Sequence, residues 1–119
     1  MIPKSFKLAN RTWRVEFKKD LMAGPEDQPC WGLANHIEAV IQLDEDLLEP
    51  AMAEYLASTF EHELMHAMLS AHGVRDHDER FVDGMALLRR QYELTKRLPA
   101  KPKGVIQKAG KRKPAKSRR

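Results

Sequence analysis

The feature that most constrains this chain is five residues long. His62-Glu63-Leu64-Met65-His66 is a His-Glu-x-x-His pattern inside a periodic stretch that predicts one helix from about Pro50 to His72. Residues four apart on a helix stand one turn above each other, displaced by about 40° around the axis. His62 and His66 can therefore aim both imidazoles at one point, with Glu63 beside them. Leu56, Phe60, Leu64, Ala67 and Leu69 give the same helix an apolar side to bury. Zinc takes neutral imidazole nitrogens, and a catalytic zinc keeps one position open for water. A carboxylate alongside takes the proton as that water attacks, and Glu63 is the candidate for this base. The expectation is a Zn2+ site at His62 and His66. The plainer alternative is an amphipathic helix whose two histidines are merely partly buried or solvated.

The 119 residues fit one domain with a modest core. Cys30 is the only cysteine, so no intramolecular disulfide can form and a reducing compartment is expected. The N-terminal residues lack the apolar run of a signal peptide and no stretch is long enough to span a bilayer, so the expectation is a soluble, cytoplasmic protein without a membrane partner. The net charge of +4 hides an asymmetry. Residues 99–119 hold nine of the 21 Lys and Arg and no acid, leaving twelve basic and seventeen acidic side chains, a net of −5, in residues 1–98. Two regions follow: an acidic folded domain over 1–98 and a basic tail over 99–119. The tail's prolines, glycines and like charges cannot form a core, which predicts disorder. Such an arm can contact nucleic acid non-specifically through phosphates, or simply keep the protein soluble.

In chain order, residues 4–18 predict a β-hairpin. Thr12–Lys18 alternates with period two and puts Trp13, Val15 and Phe17 on a core face. Phe6 and Leu8 belong to its partner strand, and Ala9-Asn10-Arg11 to the turn. Residues 20–30 concentrate turn formers and predict a loop. Trp31–Ala34 and Ile37–Leu43 predict two more strands around a turn at Asn35-His36, with Ile37, Ala39, Ile41 and Leu43 on one face. Pro50 suits the first turn of the long helix, and Gly73 the left-handed position after its end. A second helix is predicted from about Asp78 to Leu98, with Phe81, Val82, Met85, Leu88 and Tyr92 on one face. Gly84 within it suggests close approach of a neighbouring element. The fold class is α+β: a small antiparallel sheet packed on two main helices.

A catalytic zinc needs a third protein ligand. Glu79 opens the second helix, and Asp83 four residues on could hold a ligating histidine in orientation. Against this, Asp76-x-x-Glu79 is also a capping-box pattern, in which Glu79 serves only the helix N-terminus. His77 on the connector is a second candidate. His72 is a third, completing His-x-x-Leu-x-x-His, although Leu69 stands where a glycine would let the helix end and turn the chain back. His36 reads as a turn residue.

Four segments carry a resemblance: Trp31-Gly32, Ile41-Gln42-Leu43-Asp44, His62-Glu63-Leu64-Met65-His66 and Glu79-Arg80-Phe81-Val82-Asp83. Over roughly residues 6–96 the chain resembles small, often phage-encoded metallopeptidase-like proteins related to ImmA/IrrE and other minimal zincins. That resemblance implies a zincin-like domain and a gluzincin-like site with Glu79 as third ligand. A second resemblance runs through His77-Asp78-Glu79-Arg80-Phe81, which looks like the third-histidine segment of SprT-like proteases. Those act on DNA-associated proteins, which suits the basic tail.

The function expected is a zinc metallopeptidase acting on a protein or peptide substrate. Its site is His62, His66 and Glu79 on the metal with Glu63 as base, and the strand 37–43 is available to pair with an extended substrate. The alternative is a catalytically silent binding or assembly protein on the same fold, its metal serving stability. A mononuclear iron site also takes two histidines and a carboxylate, but would not need Glu63 at the position of a hydrolytic base.

Overall fold

The computed structural model describes residues 2–97 and forms an α+β domain. The basic tail, expected to be disordered, lies outside the described residues. Six strands, β1 (Ser5–Leu8), β2 (Arg11–Lys18), β3 (Met22–Ala23), β4 (Gln28–Pro29), β5 (Gly32–Asn35) and β6 (Val40–Asp44), precede two helices, α1 (Ala53–Ala71) and α2 (Glu79–Thr95). Two short 3-10 turns, Glu45–Leu48 and Pro50–Met52, join β6 to α1.

The first hairpin forms where the alternation places it. Ala9 and Asn10 both take positive φ, 51° and 66°, which matches the right-handed twist of the strands they join. Phe6 and Trp13 are direct cross-strand partners and stack with centroids 6.2 Å apart. Phe60 of α1 meets Phe6 edge-on, so this aromatic group ties the hairpin to the helix.

The sheet is ordered β1-β2-β6-β5. It is mixed rather than wholly antiparallel, because β2 and β6 run parallel while β1–β2 and β5–β6 are antiparallel. Parallel neighbours need a connection of a dozen or more residues, and residues 19–39 supply it. That crossover is not plain loop: it holds the small β3–β4 hairpin and then β5. Asp44 fastens it. One carboxylate oxygen accepts from the Leu21 backbone N–H at 3.0 Å, and the other accepts from Asp46 N–H at 2.9 Å, capping the first 3-10 turn.

Strand β6 is shorter than the alternation predicts. Asn35 Oδ1 accepts from the N–H groups of Ile37 and Glu38, an Asx turn that bends the chain away from extended form. Ala39 takes φ 55°, and Ile37 projects into solvent. Arg11 donates to the carbonyls of His36 and Ile37, which holds this turn against the first hairpin. Strand β6 is also interior, paired on both sides, so it cannot accept a substrate strand; the edge nearer the helices is β5.

Ile41, Leu43 and Leu47 are fully buried and meet Phe60, Leu64 and Ala67 of α1 in one core. Helix α1 ends as its sequence predicts. Gly73 takes φ 89°, its N–H reaches Ser70 O and that of Val74 reaches Leu69 O, a Schellman closure.

Helix α2 buries a different face from the one expected. Val82 and Ala86 are buried, while Phe81, Met85, Leu88 and Tyr92 remain exposed. The sheet is already covered by α1, so α2 packs chiefly on α1, burying Val82 and Ala86. Ion pairs flank this contact: Arg90 with Glu54 at 2.8 Å, and Arg89 with Glu61 at 3.0 Å without hydrogen-bond alignment. A Cβ on Gly84 would meet nothing within 4 Å, so no close approach explains that residue.

Candidate metal centre

The connector between the helices, Val74–Asp78, turns α2 back so that its first residue faces the middle of α1. The N-cap is Asp78, whose side chain accepts from Arg80 N–H. Asp76 does not cap, and the Glu79 carboxylate is turned toward the histidines instead. One Glu79 oxygen lies 3.3 Å from His62 Nε2 and the other 3.2 Å from His66 Nε2. Ligand atoms of these three residues all lie within 4.8 Å of one another.

Which ring nitrogens carry hydrogen follows from the outer partners. The carbonyl of Val74 can only accept, so His77 Nε2, 2.8 Å away, carries the hydrogen. In the neutral ring His77 Nδ1 is then a lone pair, and His66 Nδ1, 2.7 Å from it, donates. That leaves His66 Nε2 as a lone pair. His62 Nδ1 stands 2.8 Å from the Asp83 carboxylate and donates to it, which leaves His62 Nε2 as a lone pair too. With the rings neutral, two imidazole lone pairs and a carboxylate therefore converge, three acceptors with no donor among them. Such a set is repulsive unless a cation or a proton sits in its midst. A tetrahedral zinc with bonds of about 2.0–2.1 Å separates its ligands by about 3.3 Å; each Glu79 oxygen stands at about that distance from one imidazole nitrogen, while the full set spans up to 4.8 Å. Two imidazoles and a carboxylate are a donor set that could hold a divalent metal ion.

Burial holds the His66 imidazole below its usual range, although Glu79 works the other way, and a neutral ring is the form a metal requires. Asp83 and His77 each bond the far nitrogen of one imidazole, the orienting role that outer partners of metal-bound histidines play. His77, a candidate ligand by sequence, thus reaches the site through His66. His72 caps α1 at the exposed helix end and takes no part in the cluster. His36 is exposed in its turn, on the rim of the groove described below.

Glu63 is 8% exposed and lies between α1 and β5. Burial pushes its carboxyl up to about 7; His62 opposes this, Glu79 adds to it, and a hydrogen bond from the Ala34 backbone N–H opposes it. A bound divalent cation would draw it lower. The sequence signals for its surroundings went unread. Gly32 is where β5 touches α1: a Cβ there would stand 2.8 Å from Thr59 Cγ2 and 2.9 Å from Glu63 Cγ. A glycine inside a strand commonly marks close backbone approach, and that rule belongs to Gly32 rather than Gly84. Gly32→Ala is expected to cost about 1–3 kcal/mol by overpacking. Urea denaturation measures it, and unchanged stability would mean that β5 and α1 separate freely.

A groove of about 950 Å3 runs past this group, lined by Gly32 to Ala34 of β5, by His62, Glu63 and His66, and by Gly73, Val74, Arg75 and His77 after α1. Strand β5 is the sheet edge beside it. No protein-family model, curated protein or solved structure matches the chain. Among the described residues no helix is long and apolar enough to cross a membrane.

Proposed function

We propose that the protein is a zinc-dependent metallopeptidase, with His62, His66 and Glu79 holding the metal and Glu63 as general base. The observation that carries this reading is the meeting of His62, His66 and Glu79, their ligand atoms within 4.8 Å of one another, beside a buried carboxylate that opens on a groove. The resemblance to minimal zincins supports the same assignment. A zinc ion held there supplies Lewis acidity, which acidifies water and polarises a carbonyl oxygen. Everything else falls to the chain's own groups. Asp83 and His77 fix the two rings, so that their lone pairs stay aimed inward. The tight contact with Gly32 holds the Glu63 side chain in one position. Glu63 takes a proton from the attacking water and passes it to the leaving amine. The free edge of β5 is suited to an extended peptide, aligned by main-chain hydrogen bonds.

The test is metal-dependent cleavage. Purified protein loaded with one equivalent of zinc is expected to cut an unfolded protein such as reduced casein. Chelation should stop the cleavage and added zinc should restore it. Zinc binding with every peptide left intact would overturn the peptidase reading and leave a binding protein.

A further inference from the structure

A second cavity, of about 580 Å3, adjoins the candidate centre on the side away from the groove. The two cavities share Gly32, His62 and Glu63 in their walls, so they meet at the base and one metal ligand. Their chemistry differs. The groove side presents His36, Ser70, Arg75 and His77. The second cavity has Trp31, Ala86, Leu87 and Leu94 as its apolar wall, with Ser58 and Gln91 as uncharged polar groups beside them. Its charged neighbours are already matched, Arg90 by Glu54 and Asp83 by His62. Trp31, Leu87 and Leu94 are 49%, 58% and 65% exposed, more apolar surface than a small domain gains by leaving wet.

We propose that the cavity between Trp31, α1 and the C-terminal half of α2 is the specificity pocket of this site, and that it takes one large apolar side chain, of leucine, methionine or phenylalanine size, from the residue next to the cleaved bond. The proposal rests on the peptidase reading for its word "cleaved", but not for the binding itself. A peptide lying along β5 with its scissile bond at Glu63 has the apolar cavity on one side of that bond and the polar groove on the other. The pocket's volume accommodates a large side chain together with its flanking main chain. An acidic side chain finds no free cation there among the described residues, because Arg90 is engaged. Substrates of this site are therefore peptides with an apolar residue at one flank of the bond.

Binding is measured apart from catalysis. The probes are two blocked tripeptides, acetyl-Ala-Phe-Ala-amide and acetyl-Ala-Asp-Ala-amide, titrated into the full zinc-loaded chain carrying Glu63→Gln and followed by amide shifts in NMR spectra. The phenylalanine peptide is expected to shift Trp31, Ala86, Leu87 and Leu94 and to bind at least about tenfold more tightly than the aspartate peptide. Leu87→Asp, at an exposed position that folding does not depend on, should erase that difference. Shifts confined to the groove, or equal affinity for the two peptides, overturn the pocket whether or not the protein proves to be a peptidase. If casein is never cut but the phenylalanine peptide still seats against Leu87, the peptidase reading fails and the apolar pocket stands.

Discussion

Glu63→Gln is expected to keep zinc and to lose peptide hydrolysis by about 10²–10⁴-fold. The substitution preserves shape, so the tight packing of Glu63 Cγ against Gly32 is undisturbed. What it removes is the capacity to accept a proton. Because the carboxylate is buried and next to Glu79, its loss relieves desolvation and repulsion, so stability should hold or rise. Loss of activity without loss of fold or metal is the combination that separates a base from a structural residue. Glu63→Asp keeps the acid but retracts it by one methylene, and a shift of about 1 Å is enough to cost about 10²-fold. Zinc content by elemental analysis and casein cleavage rate, measured on the same preparations, decide the matter. Cleavage by Glu63→Gln at the wild-type rate would remove this residue from the mechanism.

How far these groups could be read from the sequence depended on whether local spacing fixed them. His62 and His66 share one helix, so 3.6 residues per turn sets their relation in advance. Asp83 was legible for the same reason once Glu79 was considered, four residues away on α2. The first hairpin and the Gly73 stop follow from equally local rules. What escaped was set by distant partners. The parallel pairing of β2 with β6 depends on a 21-residue crossover, whose course no periodicity reveals. Ile37 continued the alternation of β6, yet the side chain of Asn35 intervened and turned the chain. On α2 the apolar arc predicts more buried side chains than α1 has surface to cover, so of that arc only Val82 is buried, together with Ala86 outside it. Spacing makes His77 a candidate ligand because it cannot distinguish a residue at the centre of a cluster from one that bonds the far side of a histidine in it. The Val74 carbonyl makes that distinction, and it is visible only in three dimensions.

Glu79→Ala is expected to abolish high-affinity zinc binding, with an effect on stability that depends on the metal. In the wild-type chain, zinc at about 1,000 times its dissociation constant should add about 4 kcal/mol to folding, because it binds the folded site and not the unfolded chain. For a domain of this size that is a rise of roughly 15 °C or more in Tm. Without zinc, and with both rings neutral, the carboxylate faces two lone pairs at 3.2 and 3.3 Å, an arrangement that costs stability rather than adding it. Truncating Glu79 should therefore leave the metal-free Tm unchanged or slightly raised, while removing the zinc-induced rise. A residue that merely capped α2 would behave oppositely, lowering Tm equally with and without zinc. His77→Ala and Asp83→Ala should weaken zinc by about 10–100-fold and shrink the rise without erasing it, since each only orients a ring. His72→Ala, at the exposed end of α1, should change neither quantity. Thermal scans with and without zinc measure all four variants. A full zinc-induced rise in Glu79→Ala would show that the third ligand lies elsewhere, and the variant that lost the rise would identify it.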